Sequence, residues 1–189
     1  MARILDLGCG NGNLPVRAGA TAGDEVVGVD IDERALRLAR ERFPNRSFYL
    51  APAEHLPFPN CSFDRVVSSV ALPYMDIPKT LAEVRRVLLP KGSVFFSLHP
   101  LRFTVSELKK AWPRFVPTAY RLFVILNGFL LHFTGRSLRF GGRHETFQTK
   151  RAIRLSLQRA GFEQIEFSRP EGRLIVRAIA CGTPEKRAA

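Results

Sequence analysis

The feature that most constrains this chain is a glycine loop near its start, at residues 8–12. An apolar segment, RILDL at residues 3–7, is typical of a short buried strand, and Gly8, Gly10 and Gly12 follow it at every second position. Glycine has no Cβ, so it leaves room for a ligand against the backbone and accepts the positive φ angles of a tight turn. In α/β sheets such a loop lies at the carboxyl end of a strand, where ligands bind. The pattern predicts a site for one end of a nucleotide.

A second strand pattern supplies a carboxylate that suits such a site. Residues 26–30 read VVGVD, and Asp30 stands eighteen residues after Gly12. Folds of this kind place an acid about 20 residues beyond the glycines, where it binds the ribose hydroxyls. Asp30 is therefore the predicted ribose acceptor.

The glycine spacing argues against a dinucleotide. Dinucleotide sites use Gly-x-Gly-x-x-Gly, whose last glycine lets a helix N-terminus approach a pyrophosphate. In this chain Asn13 stands where that glycine would be, and Asp6 lies two residues before Gly8. A carboxylate at this place is a poor neighbour for a pyrophosphate and suits a ligand that carries an ammonium group.

Three further motifs follow in order along the chain. They are AEHLPF at residues 53–58, SFDRVVSS at residues 62–69 and LLPKG at residues 88–92. Together with the glycine loop they resemble the class I S-adenosylmethionine-dependent methyltransferases, and in particular the ubiquinone and menaquinone C-methyltransferase branch. Four motifs in register over about 90 residues are specific, whereas the glycine loop alone would be a weak signal.

The resemblance implies S-adenosylmethionine as the cofactor. The positions that would bind it are Asp6, Gly8, Cys9, Gly10, Asp30, Ile31, Ala53, Glu54 and Ser69. By this resemblance the backbone of residues 8–10 would lie against the methionine part of the cofactor, with Asp6 organising the loop. The Ser69 carbonyl would accept from the cofactor amino group. Cys9 is expected to be a small side chain in a crowded turn.

The same resemblance assigns the adenosine end. Asp30 would bind the ribose hydroxyls, Ile31 would pack on the adenine face and the Ala53 amide would reach the adenine edge. The family usually has an acid just before that alanine, but this chain has Pro52, which offers neither a side-chain acceptor nor an amide hydrogen. Glu54 is the expected substitute.

The resemblance also implies helices before the first strand that close over the cofactor. In this sequence the first strand begins about two residues after Met1, so that cover is expected to be missing. Three explanations stay open: the native start lies upstream, another segment or chain supplies the lid, or the protein does not turn over.

Alternating strand and helix patterns predict the fold. Strands are expected near residues 3–7, 26–30, 47–51, 64–70, 93–98, 163–168 and 173–181, and helices near 33–42, 77–88 and 149–160. The alternation is typical of an α/β protein, with a Rossmann-like, doubly wound, mainly parallel seven-stranded sheet and helices on both faces. We expect residues 1–189 to form a single methyltransferase domain, with residues 101–140 a helical lid or cap inserted after strand five. The resemblance adds that the last strand runs antiparallel.

Charge is concentrated in the second half of the chain. Residues 1–100 carry 12 cationic and 11 acidic side chains, whereas residues 101–189 carry 17 and 6. A neutral solvated face, attraction to an anionic membrane or acidic substrate, and nucleic-acid binding all remain open. The three cysteines are scattered and lack metal or redox spacing, which favours a reducing cytoplasm and no metal site.

The centre of the 101–140 insertion is an apolar run, residues 120–133. On a helix Arg121, Gly128 and His132 fall on one narrow stripe, and apart from Asn127 nearly all of the remaining surface is apolar. The run is shorter than the roughly 20 residues of a transmembrane helix, so we expect no transmembrane segment. A buried lid over the pocket, a peripheral membrane anchor and a dimer contact remain open, and the first two indicate a lipophilic substrate.

The catalytic residues are not identified by the sequence. Methyl transfer needs alignment of the acceptor and exclusion of water, and a carbon or hydroxyl acceptor also needs a base. His99, after the fifth strand, is the first candidate base and His144 the second, while Tyr74 could line the pocket. The leading hypothesis is methylation of an oxygen or carbon atom on a small, hydrophobic acceptor. An RNA methyltransferase and an inactive cofactor-binding subunit that needs a partner are the alternatives.

Overall fold

A computed structural model describes residues 1–12, 20–140, 144–170 and 173–182. They form a seven-stranded sheet flanked by helices. The strands are β1 Arg3–Leu7, β2 Glu25–Asp30, β3 Ser47–Leu50, β4 Phe63–Ser69, β5 Leu88–Leu98, β6 Phe162–Ser168 and β7 Leu174–Ala180. The helices are α1 Glu33–Arg42, α2 Ile77–Val87, α3 Leu101–Ala111, α4 Phe115–Thr134 and α5 Lys150–Arg159, with a short 3₁₀ helix at Leu72–Tyr74.

The strand order in the sheet is β3-β2-β1-β4-β5-β7-β6. The first five strands are parallel, and β7 pairs antiparallel with both β5 and β6. The predicted doubly wound, mainly parallel sheet is confirmed, as is the antiparallel last strand. Because the chain runs from β1 outward to β3 and then returns to β4, a crevice is expected at the carboxyl ends of β1 and β4.

Local sequence explains why the helices begin where they do. The Asp32 carboxylate accepts from the amides of Arg34 and Ala35 at the start of α1, and the Thr149 hydroxyl accepts from the amide of Ala152 at the start of α5. Such caps satisfy amides that have no partner within the helix. These caps set the starts of the helices that the sequence predicts near residues 33 and 149.

The main core lies between one face of the sheet and helices α2 and α5. Leu5 and Leu7 on β1 share this core with Leu81 on α2 and Leu157 on α5, and all four side chains are buried. Ile4 belongs to a smaller cluster with Val26 and Val67, because successive side chains of a strand point to opposite faces.

Two elements begin five residues earlier than predicted. Strand β5 begins at Leu88 and not near residue 93, because Leu88 already pairs with Phe63 before an irregularity in the register. Helix α4 begins at Phe115, five residues before the predicted apolar run, and includes Pro117 in its first turn. Proline is tolerated there because its missing N–H would have no partner within the helix.

The insertion after β5 consists of α3 and α4, which pack against each other, while α4 also contacts α5. By length and composition alone, the 20-residue α4 could cross a membrane, and 28% of its apolar window is buried in the protein. Helices in the cores of soluble proteins can have the same length and apolar composition. That α4 does not cross a bilayer therefore stays a prediction.

Candidate functional site

The glycine loop is attached by its backbone to the end of β2. The amides of Gly8 and Cys9 donate to the carbonyl of Val29 over 2.8 and 3.0 Å. The amide of Gly10 donates to Oδ2 of Asp30 over 2.8 Å. The two sequence features that predicted a ligand site are therefore joined at one edge of the sheet.

The glycines of the loop have different surroundings. Gly8, Gly10 and Gly12 all have positive φ angles, of 67°, 51° and 81°. A Cβ at Gly8 would collide with the Cβ of Ala71, and one at Gly12 would lie 3.0 Å from the ring of Phe43. A Cβ at Gly10 would have no atom within 4 Å. Gly10 is thus the glycine of the loop whose missing side chain leaves open space.

Asp6 is a buried carboxyl beside this loop. It is 1% exposed, and among the described residues neither of its side-chain oxygens has a hydrogen-bond partner. Burial raises the pKa of Asp6 to about 7; Arg46 opposes this shift and Asp30 adds to it. A buried unpartnered carboxyl is costly, and a cationic ligand would relieve that cost.

Asp30 has capacity for a ligand in addition to its backbone contacts. Its Oδ1 accepts from the amide of Asp32 over 3.0 Å, and its Oδ2 accepts from Gly10. A carboxylate offers about four lone-pair sites, so each oxygen can accept a second hydrogen bond. The neighbouring Ile31 is 75% exposed, which leaves an apolar side chain free to pack on a flat ring.

The predicted adenine-side residues follow β3 at the same edge. The amide of Ala51 donates to the carbonyl of Asp30 over 3.1 Å, and Ala53 is 5% exposed. Glu54 Oε1 accepts from the amide of Asp76 over 2.8 Å, at the start of α2. One oxygen of Glu54 thus has a structural role, and its contact with an adenine ring stays a prediction.

Ser69 and Cys9 complete the predicted set. Ser69 is the last residue of β4, next to β1 in the sheet, where its carbonyl is at the same carboxyl edge as the glycine loop. Cys9 is buried and packs so close to Gly28 that a Cβ there would lie 2.9 Å from its Sγ. Burial and the nearby carboxylates of Asp6 and Asp30 raise the pKa of the Cys9 thiol, so this residue is a small neutral side chain.

His99 lies at the end of β5 in an aromatic environment. Its ring centroid is 4.5 Å from that of Phe103 and 6.2 Å from that of Tyr74. Its backbone is held by Gln148, whose side-chain Oε1 accepts from the His99 backbone amide and whose backbone amide donates to the His99 carbonyl. Burial lowers the pKa of His99, Arg121 lowers it further and Glu145 opposes both, so the ring is neutral near pH 7.

A polar cluster behind His99 was not predicted. Glu145 is 7% exposed and accepts from the Tyr120 hydroxyl over 2.6 Å and from Arg121 over 2.7 Å. The signal in the sequence was Arg121 itself, because a cation in an apolar helix needs a partner. The second candidate base, His144, contacts the Ser137 hydroxyl through Nδ1 over 3.2 Å.

Comparison with known proteins places this geometry in a family. Residues 5–96 match the family model described as a methyltransferase domain. A malonyl-(acyl-carrier protein) O-methyltransferase from Geobacter sulfurreducens is 35% identical over 172 residues, which cover 87% of this chain and 57% of that protein. The ubiquinone/menaquinone biosynthesis C-methyltransferase UbiE from Rickettsia massiliae is 25% identical over 197 residues, covering 92% and 73%. These matches support a class I S-adenosylmethionine-dependent methyltransferase, to which the chain is similar in sequence over residues 5–96.

A solved structure of a methyltransferase has the same fold. The S-adenosylmethionine-dependent methyltransferase from Mesorhizobium loti superposes with a TM-score of 0.63 at 25% identity and covers 94% of this chain and 90% of that one. The chain spans 57% of the Geobacter protein and 42% of a relative of the same name from Erwinia pyrifoliae.

S-adenosylmethionine is the cofactor of this methyltransferase family, and the crevice fits it in three respects. The open space at Gly10 allows a ligand to approach the backbone. The unpartnered carboxyl of Asp6 suits a molecule that carries an ammonium and a sulfonium. The remaining acceptor capacity of Asp30 suits a ribose diol. Among the described residues no cluster of histidine, cysteine and acidic side chains could hold a metal ion.

Proposed function

We propose that this protein transfers the methyl group of S-adenosylmethionine to an oxygen or carbon atom of a small, lipophilic acceptor. The observation that carries the proposal is the hydrogen bond between Gly10 and Asp30 beside the unpartnered carboxyl of Asp6. These three residues lie at the crevice where the strand order reverses, and Gly10 leaves it open. When bound, the sulfonium supplies an already activated methyl group.

The contribution of the protein is then to align the acceptor and exclude water. An in-line approach at about 3 Å is the geometry that such a transfer needs. Tyr74, His99 and Phe103 form an aromatic group at the end of β5, on the same edge of the sheet as the glycine loop. These flat, largely apolar rings favour a lipophilic acceptor over a highly charged one.

Two kinds of acceptor agree with the relatives. The Geobacter protein is named for malonyl-(acyl-carrier protein) and the Rickettsia protein for ubiquinone and menaquinone. The aromatic group at His99 favours a ring-bearing acceptor such as a quinol. In this proposal the neutral imidazole of His99 accepts the proton that the acceptor loses.

Cofactor binding is tested by titrating the full chain with S-adenosylhomocysteine and, separately, with NAD in a calorimeter. We expect S-adenosylhomocysteine to bind and NAD not to bind. A hundredfold excess over the dissociation constant should raise the free energy of unfolding by about 2.7 kcal/mol. Binding of NAD without binding of S-adenosylhomocysteine would refute the proposal.

Methyl transfer is tested with labelled S-adenosylmethionine and three acceptors: a short-chain demethylated quinol, a malonyl thioester and transfer RNA. We expect label in the quinol, with turnover lost in His99→Phe while the affinity for S-adenosylhomocysteine is kept. Label in transfer RNA alone would instead support the RNA methyltransferase alternative. If the chain binds the cofactor and labels none of them, the proposed acceptor class is wrong.

A further inference from the structure

Helix α4 contacts the rest of the protein through three polar side chains on one face, Arg121, Asn127 and His132. Arg121 donates to Glu145 over 2.7 Å, and His132 shares a 2.7 Å hydrogen bond with the Thr149 hydroxyl. Between them, the Asn127 amide donates to the carbonyls of Leu138 and Glu145. The polar groups that normally face water on a surface helix are therefore used to fix α4 to the domain.

The opposite face of α4 is apolar and exposed. Its apolar side chains recur every three or four residues, so they form one stripe along the helix, which is about 30 Å long. This outer stripe consists of Phe115, Ala119, Leu122, Leu126, Phe129 and Phe133. Leu126 is 69% exposed and Phe133 is 74% exposed. Trp112, which precedes α4, is 72% exposed, and Phe140, which follows it, is 61% exposed.

Cationic residues stand at both ends of the outer stripe. Residues 101–140 contain seven cationic side chains and one acidic side chain. Arg114 immediately precedes α4, and Arg136 and Arg139 follow it. The single acid, Glu107, is 2.9 Å from Lys110 and does not offset the charges beyond the end of α4.

We propose that the outer stripe of α4 docks on an anionic lipid bilayer, with the helix lying parallel to the surface. A helix with exposed phenylalanine and leucine on one face and cations at its ends inserts its apolar side chains at the boundary between headgroups and acyl chains. The arginines at both ends then contact anionic headgroups. The polar contacts on the inner face keep α4 on the domain, so the helix lies on the bilayer and does not cross it.

Charge favours an anionic bilayer over a second copy of the chain as the partner of the outer stripe. Two outer stripes packed together, in either direction, would bring cationic ends onto cationic ends with no acid between them. An anionic bilayer satisfies both ends at once. A nucleic acid would neutralise the arginines, but its phosphates would leave the apolar stripe exposed to water.

The test is co-sedimentation of the full chain with vesicles. We expect the chain to bind vesicles of equimolar phosphatidylcholine and phosphatidylglycerol, to bind pure phosphatidylcholine much less, and to be released by salt. Leu126→Ser and Phe133→Ser should each weaken binding by about tenfold. Arg136→Ser and Arg139→Ser should each weaken it by about fivefold. The matched control is Leu38→Ser on α1, whose side chain is 53% exposed and lies outside the stripe; its binding should not change.

Three results would overturn this inference. The first is that the chain does not bind the anionic vesicles, or that Leu126→Ser and Leu38→Ser bind them equally well. The second is a dimer in sedimentation equilibrium that Leu126→Ser dissociates, which would assign the stripe to a second copy. The third is that transfer RNA displaces the chain from vesicles and also binds Leu126→Ser as tightly as it binds the parent chain. Circular dichroism verifies that each variant is folded, and vesicle binding is read independently of methyl transfer.

Discussion

The backbone amide of Gly10 donates to Oδ2 of Asp30, so the carboxylate that ends β2 also holds the loop that follows β1. The same oxygen atoms are the predicted acceptors for the ribose. By this prediction, loop geometry and ligand binding are coupled through the side chain of Asp30.

Replacement of Asp30 should weaken cofactor binding. A charged hydrogen bond contributes about 1.5 to 3 kcal/mol, so Asp30→Ala should raise the dissociation constant for S-adenosylhomocysteine by roughly tenfold to a hundredfold. Asp30→Asn keeps one acceptor oxygen, so its dissociation constant should lie between those of the parent chain and Asp30→Ala. The control is Asp32→Ala, which removes the cap of α1, at a cost of about 1 kcal/mol in stability, and leaves affinity unchanged. Unchanged affinity in Asp30→Ala would show that the ribose assignment is wrong.

Alanine at Gly10 should mainly weaken cofactor binding, whereas alanine at Gly8 should mainly destabilise the fold. Gly10→Ala places a methyl group in open space, so the fold should lose only about 1 kcal/mol for the positive φ while affinity for S-adenosylhomocysteine falls more than about tenfold. Gly8→Ala meets Ala71 and should destabilise the fold by several times that amount. Gly23→Ala, with open space and no positive φ, should change neither quantity. Urea unfolding and calorimetry measure the two effects, and a Gly10→Ala protein with full affinity would contradict the crevice geometry.

The buried carboxyl of Asp6 should make stability depend on pH. Since its pKa is raised from 3.8 to about 7, the folded state binds this proton more tightly than the unfolded chain does. The free energy of unfolding should therefore fall as the pH rises through this interval and level off above it. Between about pH 5 and about pH 8 the free energy of unfolding of the parent chain should fall by about 3 kcal/mol more than that of Asp6→Asn, whose side chain does not titrate.

An ammonium group beside Asp6, such as the one that S-adenosylhomocysteine carries, favours the ionised carboxylate. Affinity for S-adenosylhomocysteine should therefore rise as the pH rises through about 7, and Asp6→Asn should lack that rise. Urea unfolding and calorimetry at several pH values check both parts. Parallel pH profiles for the two proteins would contradict the role assigned to Asp6.

The pair formed by Arg121 and Glu145 should behave as a coupled unit. Arg121→Met leaves a carboxylate that is 7% exposed without its cation, which should cost about 3 kcal/mol. Adding Glu145→Gln to that variant should recover most of the loss, because no charge is then buried alone. A double-mutant cycle by urea unfolding measures the coupling. Additive single-variant effects would show that the pair does not hold α4.

Much of the fold and of the site was predictable because it depends on local properties. The period of apolar residues located the strands and the helices, and the spacing from Gly12 to Asp30 indicated a ligand edge. Each of these signals is carried by backbone preference or by residues a few positions apart. The motifs together also indicated the family and its cofactor.

The sequence by itself therefore determined the sheet, the glycine loop and the family, while the tertiary structure decided how individual residues are used. Gly8 packs against Ala71, more than sixty residues away, whereas Gly10 leaves open space. The raised pKa of Asp6 comes from burial, and the outward direction of the apolar stripe on α4 comes from contacts of the other face with Glu145 and Thr149. Periodicity shows that a helix has two kinds of face but does not say which one is covered. That choice depends on contacts between segments far apart along the chain, which only the folded molecule brings together.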